Sequence, residues 1–358
     1  MFAPTRYITW AFQFYGQVPF DLASSGIPYV AWKDVGAELG PVDDFAVHPR
    51  LREAIARYND VPASEVVPAL GTSHAIFLAY AALLSPGDEI LVEHPGYEPL
   101  TRAAEGLGAS VRSFERRARE RFAIDPDRVA AAIGPRTRAI VITTLHNPTG
   151  VGVPDATILE LSKIGEARGA YVIVDEVYAP FEGMPADDGV FRRSARKLAP
   201  NVIAIGSLTK CYGLGMHRIG WVLGPEEIVE RARSAMIATI GQLPTTHAAY
   251  GCAALASVPK LAVRAKTLLG EKKALVERWL AAHPRATWSA PAHGLFGLVT
   301  IEGAGELLPR IEERARVAGV LVGAGTFFGA PESFRLSWAT CEPTKLEEGL
   351  RLLEPLVG

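Results

Sequence analysis

Cysteine is scarce: Cys211, Cys252 and Cys341 are the three in 358 residues, and no two share a CxxC spacing. That excludes a disulfide-framed fold and a cysteine-built zinc site. An excess of charge is also missing, because 37 basic residues against 39 acidic ones leave a formal net charge of −2. Nothing in that balance draws the chain to nucleic acid or to an anionic membrane. Apolar runs long enough to span a bilayer are lacking, as are internal repeats and low-complexity tracts. The opening residues, Met1-Phe2-Ala3-Pro4-Thr5-Arg6-Tyr7, have neither the basic segment nor the apolar core of a signal peptide. Together with reduced thiols, this sets a cytoplasmic location as the expectation.

What is present reads as a globular enzyme. Hydrophobic residues make up 49% of the chain and charged ones 21%, enough for a sizeable core and for two domains. Residues 1–45 form an aromatic-rich arm (Tyr7, Trp10, Phe12, Phe14, Tyr15, Phe20) broken by a turn at Ser24-Ser25-Gly26-Ile27-Pro28. Its rings must bury against the body or a partner subunit. From residue 46 to 255 strands and helices alternate. Ile90–Val92, Ala139–Thr143, Tyr171–Val174, Val202–Ile205 and Ile219–Leu223 are short apolar runs, as strands buried on both faces of a mostly parallel sheet read. Helices are expected from Pro49, from Ala75 to Leu84, from Pro99 to Gly106 and from Pro154 to Arg168. A connecting helix over 258–283 then leads to a smaller α+β lobe. The expectation is an α/β fold with one large domain and a small domain built from both ends of the chain.

In such a sheet, ligands bind beyond the carboxyl ends of the strands. Those ends collect Asn147-Pro148-Thr149-Gly150, Asp175-Glu176-Val177-Tyr178, and Ser207-Leu208-Thr209-Lys210, with Arg218 eight positions further on. Gly71-Thr72-Ser73 opens a helix whose first amides can hold a phosphate. A lysine in that setting is desolvated, and its lowered pKa makes it a nucleophile. Each piece has a plainer explanation. Asn147-Pro148-Thr149-Gly150 is a good turn in its own right, Asp175 can cap the helix-like stretch after it, and Tyr97 can simply pack. Their order at consecutive strand ends is what makes a purely structural account poor.

That order, continued by Phe334-Arg335-Leu336-Ser337, resembles the class I/II aminotransferases, pyridoxal-phosphate enzymes of the aspartate aminotransferase fold (fold type I). The resemblance implies a role for each residue. Lys210 forms an imine with the aldehyde of pyridoxal 5'-phosphate and then moves the substrate α-proton. Asp175 pairs with the ring nitrogen, Asn147 and Tyr178 bond the ring oxygen, and Tyr97 stacks on the ring. Thr72, Ser73, Ser207 and Arg218 hold the phosphate. Arg335 clamps the substrate α-carboxylate, with Gly26 and Asn147 beside it. The substrates implied are an amino acid and a 2-oxo acid, no metal is called for, and the protein is expected to be a homodimer.

Two departures stand out. Met216 occupies a position where these enzymes commonly have glycine. The tyrosine that reaches across the dimer to the phosphate has no match, since Phe45, the nearest aromatic, has no hydroxyl to donate. The segment Met236–Pro244 contains no cation, which points away from acidic substrates and toward a neutral or aromatic amino acid. The motifs fix the cofactor but not the bond that breaks, so lyase, decarboxylase or synthase chemistry on the same fold stays open. A regulatory cofactor-binding module is the remaining alternative. Its usual DNA-binding extension does not fit in 45 residues of this composition.

Overall fold

The apolar runs become the middle of a seven-stranded sheet in the computed structural model, which describes residues 2–185 and 188–358. The strand order is Val66–Leu70, Ile219–Leu223, Val202–Ser207, Tyr171–Asp175, Thr137–Thr143, Glu89–His94 and Ser110–Glu115. Ile219–Leu223 runs antiparallel to both its neighbours and the others run one way. Successive residues face opposite sides of a strand, and the packing reflects it. Ile173, Ile203, Ile205 and Val222 meet Ala75, Leu78 and Ala79 of the helix Gly71–Leu83. Ile140, Ile142, Val172 and Val174 meet Ile158 and Leu161 of the helix Asp155–Glu166. Each such fully buried aliphatic side chain contributes about 1.5–3 kcal/mol.

The two edge strands escape a search for apolar runs, for different reasons. Val66–Leu70 contains Pro68, which is tolerated because the strand pairs on one side only. Ser110–Glu115 is mostly exposed and polar, as an edge can be.

A second sheet has five strands, ordered Phe20–Leu22, Val320–Ala324, Ser333–Ser337, Phe296–Ile301 and Ala286–Trp288. Phe20–Leu22 pairs in parallel with Val320–Val322, so the arm is built into this sheet. The segment expected as one connecting helix is two, Val258–Leu269 and Lys272–Ala281. The break falls at Gly270, whose φ of 43° leaves the helical region. No helix among the described residues is long and apolar enough to cross a membrane.

Candidate active site

The strand Val202–Ser207 runs into the short helix Thr209–Tyr212, which Gly213 ends at φ 72°. Only glycine fits there, because a Cβ at 213 lies 2.5 Å from Pro28 O. The arm is strapped to this turn through its backbone: Ile27 N donates to Lys210 O and Val30 N to Gly213 O, both at 3.1 Å. Gly26 packs against the lysine stem, a Cβ there being 3.3 Å from Lys210 Cδ. Lys210 is half-buried and its Nζ donates to Ser25 Oγ at 3.3 Å. Desolvation, followed by the Arg335 and Arg218 cations, lowers its pKa to about 8, with Asp175 opposing. The neutral, nucleophilic amine is therefore well populated near physiological pH.

Asp175 ends the strand beside it and is 3% exposed. Desolvation raises its carboxyl to about 7; the 3.1 Å hydrogen bond from Val177 N works against this, and Glu93 adds to it. Glu93 itself is locked in a buried ion pair with Arg116 at 2.7 Å. It also accepts from Thr143 N and Oγ1 at 2.7 and 2.6 Å. His146, caged between Thr149 Oγ1 (2.7 Å) and Pro95 O (2.9 Å), is held well below its usual pKa by burial and pins the Asn147 turn. Glu176, the next acid along, is spent on Ser194 Oγ and Ala195 N at 2.7 and 2.9 Å and faces structure rather than ligand.

The helix Gly71–Leu83 begins two residues before Ser73, which puts Thr72 and Ser73 in its first turn with their amides free. Thr72 Oγ1 donates to Ser207 Oγ at 2.9 Å, and Thr209 N reaches the same oxygen at 3.3 Å. Arg218, at φ 53°, aims its guanidinium over Gly71: a Cβ on that glycine meets Arg218 Nη2 at 2.6 Å. Amides, hydroxyls and an arginine thus converge on one small volume, a cradle for an anion. Met216, 74% exposed in the turn Gly215–His217, adopts no left-handed backbone, so replacing a glycine there strains nothing.

One cavity of about 770 Å³ is lined by Thr72, Ser73, Tyr97, Asn147, Asp175, Tyr178, Lys210 and Arg218. Three of the expected residues stand behind its wall: Ser207 acts through Thr72, Gly26 lies under Lys210, and Arg335 is fully buried. Arg335 Nη1 donates to Asn147 Oδ1 at 2.7 Å, and Nη2 donates to Tyr7 Oη at 2.5 Å and to Ala23 O at 2.8 Å. Its guanidinium sits about 5 Å from the ring centres of Tyr7, Phe296 and Phe328. Sequence motifs missed Tyr7, Ser25 and Glu93. The arm's aromatic density was the one available signal for the first.

The sequence model for "Aminotransferase class I and II" matches residues 38–353. This chain belongs to the class I and II aminotransferases. Arginine–pyruvate transaminase AruH of Pseudomonas aeruginosa is 30% identical over 79% of this chain and 72% of its own length. Capreomycidine synthase of Streptomyces vinaceus is 28% identical over 98% of this chain and 92% of its own. A solved PLP-dependent aminotransferase from Streptococcus suis 89-1591 superposes with a TM-score of 0.86 at 22% identity, covering 99% of this chain and 97% of that one.

Members of this family are pyridoxal-phosphate enzymes, and the residues present fit that group. The Gly71 cradle lies open to a phosphate under Arg218. Asn147 Oδ1 is occupied by Arg335, which leaves Nδ2 to donate to a ring oxygen. Asp175, buried and with its carboxyl raised to about 7 by desolvation, is an acid whose charged form a protonated ring nitrogen would stabilise. Phe45, 74% exposed, offers no hydroxyl to the phosphate.

Proposed function

We propose that this aminotransferase moves the amino group of a neutral or aromatic L-amino acid to a 2-oxo acid, and that it does so as a homodimer. The observation that carries the reading is Arg335, a buried cation whose acceptors are all neutral and with which no Asp or Glu among the described residues pairs. A buried, uncompensated cation is costly, and a substrate carboxylate is the anion that relieves it. Pyridoxal phosphate, when bound, supplies the electron sink for the carbanion left after the α-proton departs. Lys210 Nζ takes that proton, which its lowered pKa allows, and returns it later as an acid. Thr72, Ser73 and Arg218 would hold the phosphate, Asp175 would keep the ring nitrogen protonated, and Tyr178 and Asn147 would orient the ring.

The remaining wall sets the side chain. Ile8, Phe12, Tyr15, Tyr29, Ile76 and Phe77 line it, and Asp175 is the one acid among the described lining residues. A cationic side chain such as arginine finds no counter-charge there, whereas an apolar one is well housed. Synthase or lyase chemistry is the second reading, favoured by the capreomycidine synthase match over nearly the whole chain. Holoenzyme mixed with phenylalanine alone should accumulate the aminated cofactor stoichiometrically, which is followed by absorbance. Release of ammonia with the keto acid, without that accumulation, supports the second reading instead.

A further inference from the structure

Tyr7 lies in the N-terminal helix Arg6–Ala11, far along the chain from the strand-end motifs. Its side chain lines the Lys210 cavity, and its oxygen takes the hydrogen bond from Arg335 Nη2. Three contacts fix it there. Tyr7 N donates to Glu98 Oε2 at 2.9 Å, its ring packs 5.1 Å from that of Phe328, and its hydroxyl is 3.2 Å from Tyr15 Oη.

We propose that Tyr7 is a binding residue for the substrate α-carboxylate: its oxygen fills an acceptor position beside Arg335 in the free protein, and its proton is donated to the carboxylate on binding. The inference rests on the proposed amino-acid function of the site. A phenol that accepts from a guanidinium still has its own O–H to give. Besides the cavity, the recipient at hand is Tyr15 Oη, a neutral oxygen whose pKa burial raises further. A carboxylate offers about four acceptor positions, and Arg335, with Nη2 committed to Tyr7 Oη and Ala23 O, has Nε–H and one Nη1–H left to give, so acceptor capacity remains unfilled. A third donor, fixed before the ligand arrives, adds a charge-assisted hydrogen bond at no ordering cost. The arm thereby distinguishes carboxylate-bearing substrates from amines and amides of the same shape.

The test titrates pyridoxal-phosphate-loaded enzyme calorimetrically with 3-phenylpropionate, which has no amino group to react, and with its amide. Tyr7→Phe keeps the ring and should weaken the carboxylate roughly tenfold, as losing a hydrogen bond to a charged group does. Amide binding should change less than about twofold. Equal weakening of both ligands means that Tyr7 only packs, and overturns the proposal, as does an unchanged carboxylate affinity. Arg335→Lys is the reference. If it abolishes carboxylate binding while Tyr7→Phe leaves that binding unchanged, the Tyr7 inference alone fails. If Arg335→Lys has no effect, or the parent enzyme binds no carboxylate, the reading of Arg335 fails with it. Should Tyr7→Phe not fold, 3-fluorotyrosine in place of Tyr7 gives a stronger donor and tighter carboxylate binding; unchanged binding there also overturns the proposal.

Discussion

Protons are bound differently at Asp175 in the folded and unfolded chain. Folding raises its pKa from 3.8 to about 7, mainly by desolvation. Below pH 4 both states are protonated and no penalty exists. Between about 4 and 7 the folded state holds a proton that the unfolded state has lost, so the native advantage shrinks as pH rises. Above 7 the penalty is complete. Asp175→Asn should therefore make cofactor-free protein more stable than its parent at pH 8, by about 4 kcal/mol, with the gap closing toward pH 4. Urea midpoints at the two pH values measure it; an unchanged gap contradicts the assignment. Asp175, Lys210 and Asn147 were legible in the sequence because each comes after an apolar strand that announces where it ends. Glu93 was not, since an acid inside the strand Glu89–His94 looks like a break in the pattern until Arg116 is seen against it. Tyr7 was hidden because its partner is 328 residues away.

At the scale of elements, two glycines predict opposite outcomes. Gly213→Ala drives a Cβ into the Pro28 carbonyl at a positive φ, and backbone cannot yield. The variant should lose about 2 kcal/mol or more of stability, seen in thermal melting. Gly71 also has positive φ, but its added Cβ meets the end of the Arg218 side chain, which can swing away. Gly71→Ala should fold with a smaller loss and release pyridoxal phosphate at least tenfold more readily on dialysis. If the two variants melt alike, the distinction between rigid and movable neighbours is wrong. The central strands and most helices could be read from β-branched runs and Pro/Gly punctuation. The edges could not, because a strand that pairs on one side has no need of apolar residues on both faces, and Ser110–Glu115 uses that freedom.

For the whole molecule, Tyr29, Phe45, Met216 and Ile237 are more than half exposed, at 66, 74, 74 and 59%. Large apolar side chains in that number call for cover. Sedimentation at micromolar concentration should give twice the chain mass, and the pair Met216→Asp with Ile237→Asp should shift it toward one. A parent that sediments as a single chain contradicts the dimer. The pairing of the arm's strand Phe20–Leu22 with Val320–Val322 also has a consequence for biosynthesis. Phe20 reaches the ribosome exit 300 residues ahead of Val320, the strand partner that holds it. Throughout that interval the nascent chain carries Trp10, Phe14 and Phe20 with no groove to enter, a standing target for holdase chaperones. A ribosome stalled before residue 320 leaves a finished large sheet and an arm whose strand Phe20–Leu22 still has no partner.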